Sequence, residues 1–155
     1  MDAVHDLGLI FSDALAEVIA TVTGVYLQCK PPEEDTGFEE ITGVMSLCSK
    51  KGGILFVSAK ESDIRVLCAN MTGVSEAEVT KEDIEDALCE FVNMTAGSTK
   101  LRLSDPDHMF TLSSPFIIKG KDITIATKSK THVISSVLGN GEVSVRLKFV
   151  CNQSH

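Results

Sequence analysis

Basic residues are in short supply: 14 Lys and Arg stand against 22 Asp and Glu, for a formal net charge of −8. That balance argues against a nucleic-acid groove, where clustered cations neutralise phosphates. Long apolar runs are also missing. No segment reaches the ~20 residues of a membrane span, and the most apolar stretch, Leu7 to Leu27, is interrupted by Asp13 and Glu17. Asp2 and Asp6 sit near the start in place of a basic segment, so no signal peptide is expected. The five cysteines, Cys29, Cys48, Cys68, Cys89 and Cys151, form no C-x-x-C pair. Their odd number and wide spacing suggest small buried hydrophobes in a reducing cytoplasm, not disulfides or a zinc site. His5, His108, His132 and His155 are scattered and suggest no metal cluster. The sequons at Asn70 and Asn93 carry no weight without secretion.

What remains is a chain of 155 residues, a length that suits one domain over 1–155, with 43% hydrophobic residues to fill a core. Leu7, Ile10, Phe11, Ala14, Leu15, Val18, Ile19 and Val22 recur at helical spacing and predict a helix over 2–23, ended by Gly24. A solvated connection follows over Lys30 to Asp35. Strands are expected over Glu40 to Cys48 and Gly53 to Ala59 around a Lys50-Lys51-Gly52-Gly53 turn, then a short helix over Glu61 to Met71. Thr80, with Asp83 three residues on, predicts an N-cap for a helix running to about Leu103. Beyond Ser104-Asp105-Pro106-Asp107 the chain reads as strands: Met109 to Ser113, Phe116 to Ile118, Ile123 to Lys128, Thr131 to Val137 and Val143 to Val150. Leu138-Gly139-Asn140-Gly141 is a hairpin turn between the last two.

The helix after Thr80 carries the functional signal. At about 100° per residue, Ile84, Leu88, Phe91 and Thr95 share one face, flanked by Val92. Asp86, Glu90, Asn93 and Gly97 share the opposite face. Surface helices are rich in Glu and Asn, so the polar stripe alone also fits plain solvation. Gly97 is the discordant member. A glycine inside a helix costs roughly 1 kcal/mol relative to alanine, and it suits a place where another molecule nears the backbone. The first helix echoes the pattern: Asp13-Ala14-Leu15-Ala16-Glu17 and Gly24 align with Asp86-Ala87-Leu88-Cys89-Glu90 and Gly97, but Ala20 stands where Asn93 stands. The echo suggests an internal pseudo-two-fold repeat in which one copy lacks the amide.

At these residues the chain resembles the CheC/CheX/FliY group of response-regulator phosphatases, and most of all its CheX type. The resemblance rests on four blocks. The first is Ile41-Thr42-Gly43-Val44-Met45-Ser46-Leu47 with Gly52-Gly53-Ile54-Leu55-Phe56-Val57-Ser58. The second is Leu67-Cys68-Ala69-Asn70-Met71-Thr72-Gly73. The third is Asp86 to Gly97, which matches a D/S-x-x-x-E-x-x-N signature followed by N-M-x-A-G. The fourth is Ser114-Pro115-Phe116-Ile117-Ile118-Lys119-Gly120.

The resemblance implies an α+β fold: an antiparallel sheet with two long helices and one short helix. It implies hydrolysis of the aspartyl phosphate on a CheY-like receiver domain. Glu90 would pair with the receiver's active-site lysine, and Asn93 would orient the attacking water. Asp86 and Gly97 would contact the receiver, which brings its own Mg²⁺; this chain would bind no cofactor or metal. Members with two active sites carry E-x-x-N on both long helices. Glu17-x-x-Ala20 departs from that pattern and favours the one-site type. A cytoplasmic homodimer is implied as well, with no membrane insertion. The competing reading is a non-catalytic receiver-binding or flagellar-switch-like scaffold, which needs no water-orienting amide.

Overall fold

The computed structural model describes residues 3–30, 37–103, 105–128 and 130–152. Three α-helices and seven strands alternate as α1 (Ala3–Thr23), β1 (Gln28–Lys30), β2 (Ile41–Cys48), β3 (Gly53–Ala59), α2 (Glu61–Thr72), α3 (Lys81–Arg102), β4 (Thr111–Leu112), β5 (Phe116–Lys119), β6 (Thr131–Gly139) and β7 (Ser144–Asn152). The strands form one antiparallel sheet in the order β1-β6-β7-β3-β2, and the far edge of β2 is shared by β4 and β5. This is the expected α+β architecture, with two long helices and one short one.

The register explains which face is buried. Gly43, Met45 and Leu47 of β2 lie opposite Val57, Leu55 and Gly53 of β3, which in turn pair with Leu147, Phe149 and Cys151 of β7. Side chains alternate along a strand, so these residues share one face. The helices cover that face. α1 packs on β6 and on α3, and α3 packs on β2. Phe11 of α1 packs against Phe149 with ring centroids 4.5 Å apart and the planes tilted by 31°, and both are fully buried.

Gly43 sets the closeness of helix and sheet. A Cβ there would lie 2.6 Å from Val92 Cγ2 and 3.2 Å from Leu88 Cγ. Only a residue without a side chain lets α3 settle this deeply on β2.

The structure departs from the sequence reading in four places. Ile123 to Lys128 is not a strand. The chain turns after Gly120, with Asp122 in the left-handed region (φ 57°), and is carried over to the 37–39 segment, where the Ile123 carbonyl accepts from Phe38 N–H at 2.9 Å. The alternation of Ile123 and Ile125 half-buries those side chains without a ladder. Second, the strand expected over Met109 to Ser113 shrinks to Thr111–Leu112, behind a 3₁₀ turn at Pro106–His108. Third, β1 was not foreseen: it is three exposed residues at the sheet edge, with no alternation to signal it.

Fourth, the cysteines are not uniformly buried. Cys68 and Cys151 are buried and Cys89 is half-buried, but Cys29 and Cys48 are exposed. Cys29 lies on the edge strand β1 and Cys48 is the last residue of β2. The solvated connection expected over Lys30 to Asp35 lies, beyond Lys30, outside the described residues.

The sheet's outer face is partly roofed. Arg146 donates to the Gly37 carbonyl at 2.6 Å and pairs with Glu39 at 2.9 Å. Lys148 is buried, with its Nζ 5.7 Å from the centre of the Phe38 ring. Arg146 and Lys148 of β7 are thus covered by the 37–39 segment, where alternation alone would have left them in water.

Candidate active site

The start of α3 is fixed by its first turn. Thr80 caps the helix: its Oγ1 accepts from Asp83 N–H at 3.1 Å, and its own N–H donates to Asp83 Oδ2 at 2.9 Å. This reciprocal capping box satisfies two donors that the helix start would otherwise leave open. The bond from the Thr80 N–H, with the Thr80 hydroxyl beside it, holds the Asp83 carboxyl below its ordinary pKa. The inner face then locks the helix in rotation: Ile84, Ala87, Leu88, Phe91, Val92, Thr95, Ala96 and Thr99 are all buried.

With that face inward, Asp86, Glu90 and Asn93 are exposed and Gly97 is half-exposed beside them. All four candidates from the sequence come together on one stripe. Glu90 and Asn93 stand about 4.5 Å apart along the helix axis. Neither makes a side-chain hydrogen bond or ion pair with another described residue. They are free to engage something from outside. At Gly97 a Cβ would meet no atom within 4 Å. Nothing among the described residues demands a glycine there, in contrast to Gly43.

Two neighbours of the stripe were not picked out from sequence. Glu85 forms an ion pair with Lys119 at the end of β5, tying the flank of α3 to the sheet edge. That hydrogen bond raises the Lys119 pKa. Leu101, four residues past Gly97, is 89% exposed and continues the same stripe. Its signal in the sequence was an apolar residue at helical spacing on an otherwise polar face.

The chemistry available is that of acids and an amide. Cys89 flanks the stripe, but burial, reinforced by the Asp86 and Glu85 carboxylates, pushes its thiol pKa up. A thiol held protonated is a poor nucleophile. Among the described residues no group of three or more His, Cys, Asp or Glu could hold a metal ion, and no helix is long and apolar enough to cross a membrane. The corresponding acid of the first helix is occupied: Glu17 pairs with Arg102 of α3, and Ala20 supplies no amide.

Residues 41–138 match the family model described as Chemotaxis phosphatase CheX. The matched stretch contains the whole of α3 and its stripe. Among solved structures, chemotaxis protein CheX from Vibrio vulnificus is 20% identical, with a TM-score of 0.80 over 97% of this chain and 99% of that one. A CheC-like superfamily protein from Shewanella sp. PV-4 is 23% identical, with a TM-score of 0.80 over 99% of this chain and 100% of that one. A chain of the CheX–CheY–BeF3–Mg²⁺ complex from Borrelia burgdorferi is 14% identical, with a TM-score of 0.74 over 94% of this chain and 97% of that one. At these identities the likeness establishes the fold. No curated protein matches the chain in sequence.

Proposed function

We propose, from the premise that this chain belongs to the CheX family of chemotaxis phosphatases, that it hydrolyses the aspartyl phosphate of a CheY-like receiver domain. The observation that carries this reading is the pair Glu90 and Asn93: one turn apart, exposed and without a side-chain partner among the described residues, on a helix whose other face is locked into the core.

The reaction transfers a phosphoryl group from the receiver's aspartate to water. A bond forms between the water oxygen and phosphorus, the bond from phosphorus to the carboxylate oxygen breaks, and the aspartate leaves with the electron pair. The water's proton passes to the released phosphate or to solvent. Asn93 orients that water: its carbonyl accepts from the water and its amide N–H groups donate nearby. An amide does this without being consumed. A hundredfold acceleration takes about 2.7 kcal/mol off the barrier, well within the roughly 7–11 kcal/mol that positioning can supply. Glu90 binds the receiver's active-site lysine and so fixes where Asn93 enters. Asp86 extends that contact and Gly97 admits the receiver's backbone. The receiver's own Mg²⁺ neutralises charge on the phosphoryl oxygens, and no metal ligand is asked of this chain.

We read residues 1–155 as one CheX-like domain working in the cytoplasm as a homodimer. Sedimentation checks the last point against the 16.7 kDa of one chain.

The site assignment is tested by separating binding from turnover. Asn93→Ala is expected to bind an activated receiver normally and to lose about 100-fold or more in kcat. Glu90→Ala is expected to raise KM as well as slow the reaction. Full activity in Asn93→Ala rules out the amide mechanism.

A further inference from the structure

The stripe on α3 does not stop at Gly97. Taken in order it carries two carboxylates (Asp86, Glu90), an amide (Asn93), an open stretch of backbone (Gly97) and then Leu101. Leu101 is 89% exposed, the most exposed of the large hydrophobic residues described. Single exposed leucines are ordinary on protein surfaces, so exposure alone says little. Its place says more. Steps of four residues lead from Asp86 to Glu90 and from Gly97 to Leu101, and residues so spaced lie one above the other on a helix. The residue after it, Arg102, is drawn aside into its pair with Glu17. Leu101 thus stands at the end of the stripe with no described side chain of this molecule covering it.

Distance permits one partner to touch both ends. Leu101 lies about 12 Å along the axis from Asn93 and about 22 Å from Asp86. A standard interface of ~800 Å² per partner is roughly 30 Å across, so a receiver centred on Asn93 covers Leu101 as well. Between the amide and the leucine, Gly97 carries no side chain, and the space a Cβ would take there is open.

We propose that Leu101, about 12 Å along the helix from Asn93, is an apolar anchor for the phosphorylated receiver, seated on an apolar patch of its surface, and that it sets receiver affinity without touching the reacting atoms. This rests on the phosphatase reading for the identity of the partner. It gives the face a polarity: charge recognition at the N-terminal end of the stripe, water positioning in the middle, apolar docking at the C-terminal end. Interfaces commonly bury an apolar centre beside a polar rim.

The test is equilibrium binding and steady-state phosphate release with one CheY-type receiver. The receiver is loaded with Mg²⁺ and beryllofluoride for binding, and phosphorylated for turnover. Leu101→Ala is expected to raise both Kd and KM about tenfold with kcat within about twofold. Leu101→Glu is expected to weaken binding further, and Leu101→Met to restore most of the native affinity. At 89% exposure the position carries no core packing, so all three variants should fold, and their melting temperatures report on that directly. Native Kd and KM in both Leu101→Ala and Leu101→Glu overturn the proposal. Leu101-dependent binding with no turnover by the native chain upholds the anchor and sinks the phosphatase reading. A native chain that binds no receiver overturns both.

Discussion

At the scale of single residues, the outer stripe of α3 is built of exposed side chains that do nothing for the fold. Asn93 is exposed and bonds to no described residue, so Asn93→Ala should leave the melting temperature within about a degree while removing turnover. Gly97 makes the sharper case. A methyl group there meets no atom within 4 Å, and alanine is a better helix former than glycine. Gly97→Ala should therefore stabilise the chain by about 0.5–1 kcal/mol in denaturant unfolding and still weaken receiver binding. A variant that gains stability and keeps native KM would show that no partner backbone approaches this point. Asp86, Glu90, Asn93 and Gly97 were legible in the sequence because helical spacing alone puts them on one face. Leu101 was not, because an apolar residue on a polar stripe looks like noise until its exposure is known. The Glu85–Lys119 and Glu17–Arg102 pairs were out of reach for another reason: each joins residues far apart in sequence, and only packing brings them together.

At the scale of elements, α3 matters as a rigid mount. Its rotation is fixed at the start by the Thr80–Asp83 capping box and along its length by contact with β2 through Gly43. Thr80→Ala should cost about 1 kcal/mol, read by thermal or denaturant unfolding. Asp83 adds a pH dependence of known sign. Its carboxyl titrates below its ordinary value because the ionised form accepts from Thr80. The stabilisation is therefore fully present above the ordinary carboxylate pKa and is lost as pH falls through the lowered one. A native chain should lose helix stability in acid that Asp83→Asn does not lose. Gly43→Ala drives a methyl group to 2.6 Å from Val92 and should destabilise by about 1–3 kcal/mol; a native melting temperature in that variant would mean α3 shifts at no cost. The capped helix and the β2–β3 hairpin were readable from caps, periodicity and a turn. The strand expected over Ile123 to Lys128 failed because alternation reports half-burial, and Ile123 and Ile125 are half-buried without joining the sheet's ladder.

At the scale of the whole molecule, one layer of helices covers one face of the sheet, and α3 presents its outer stripe to solvent while α1 presents no matching site. Glu17 is held by Arg102 and Ala20 lacks the amide. A titration with activated receiver should accordingly saturate at one receiver per chain; two would mean that α1 also docks a partner. The net charge of −8 gives the association a second signature. With Asp86 and Glu90 assigned to the receiver's lysine as proposed, near the surface, KM should rise with ionic strength while kcat holds. The most direct measurement is phosphate release from a phosphorylated, Mg²⁺-loaded CheY-type receiver at substoichiometric amounts of this chain, beside Asn93→Ala. The account predicts many phosphates released per native chain and release at the receiver's own rate with the variant. Release that stops at one per chain, or that continues undiminished without Asn93, would contradict it.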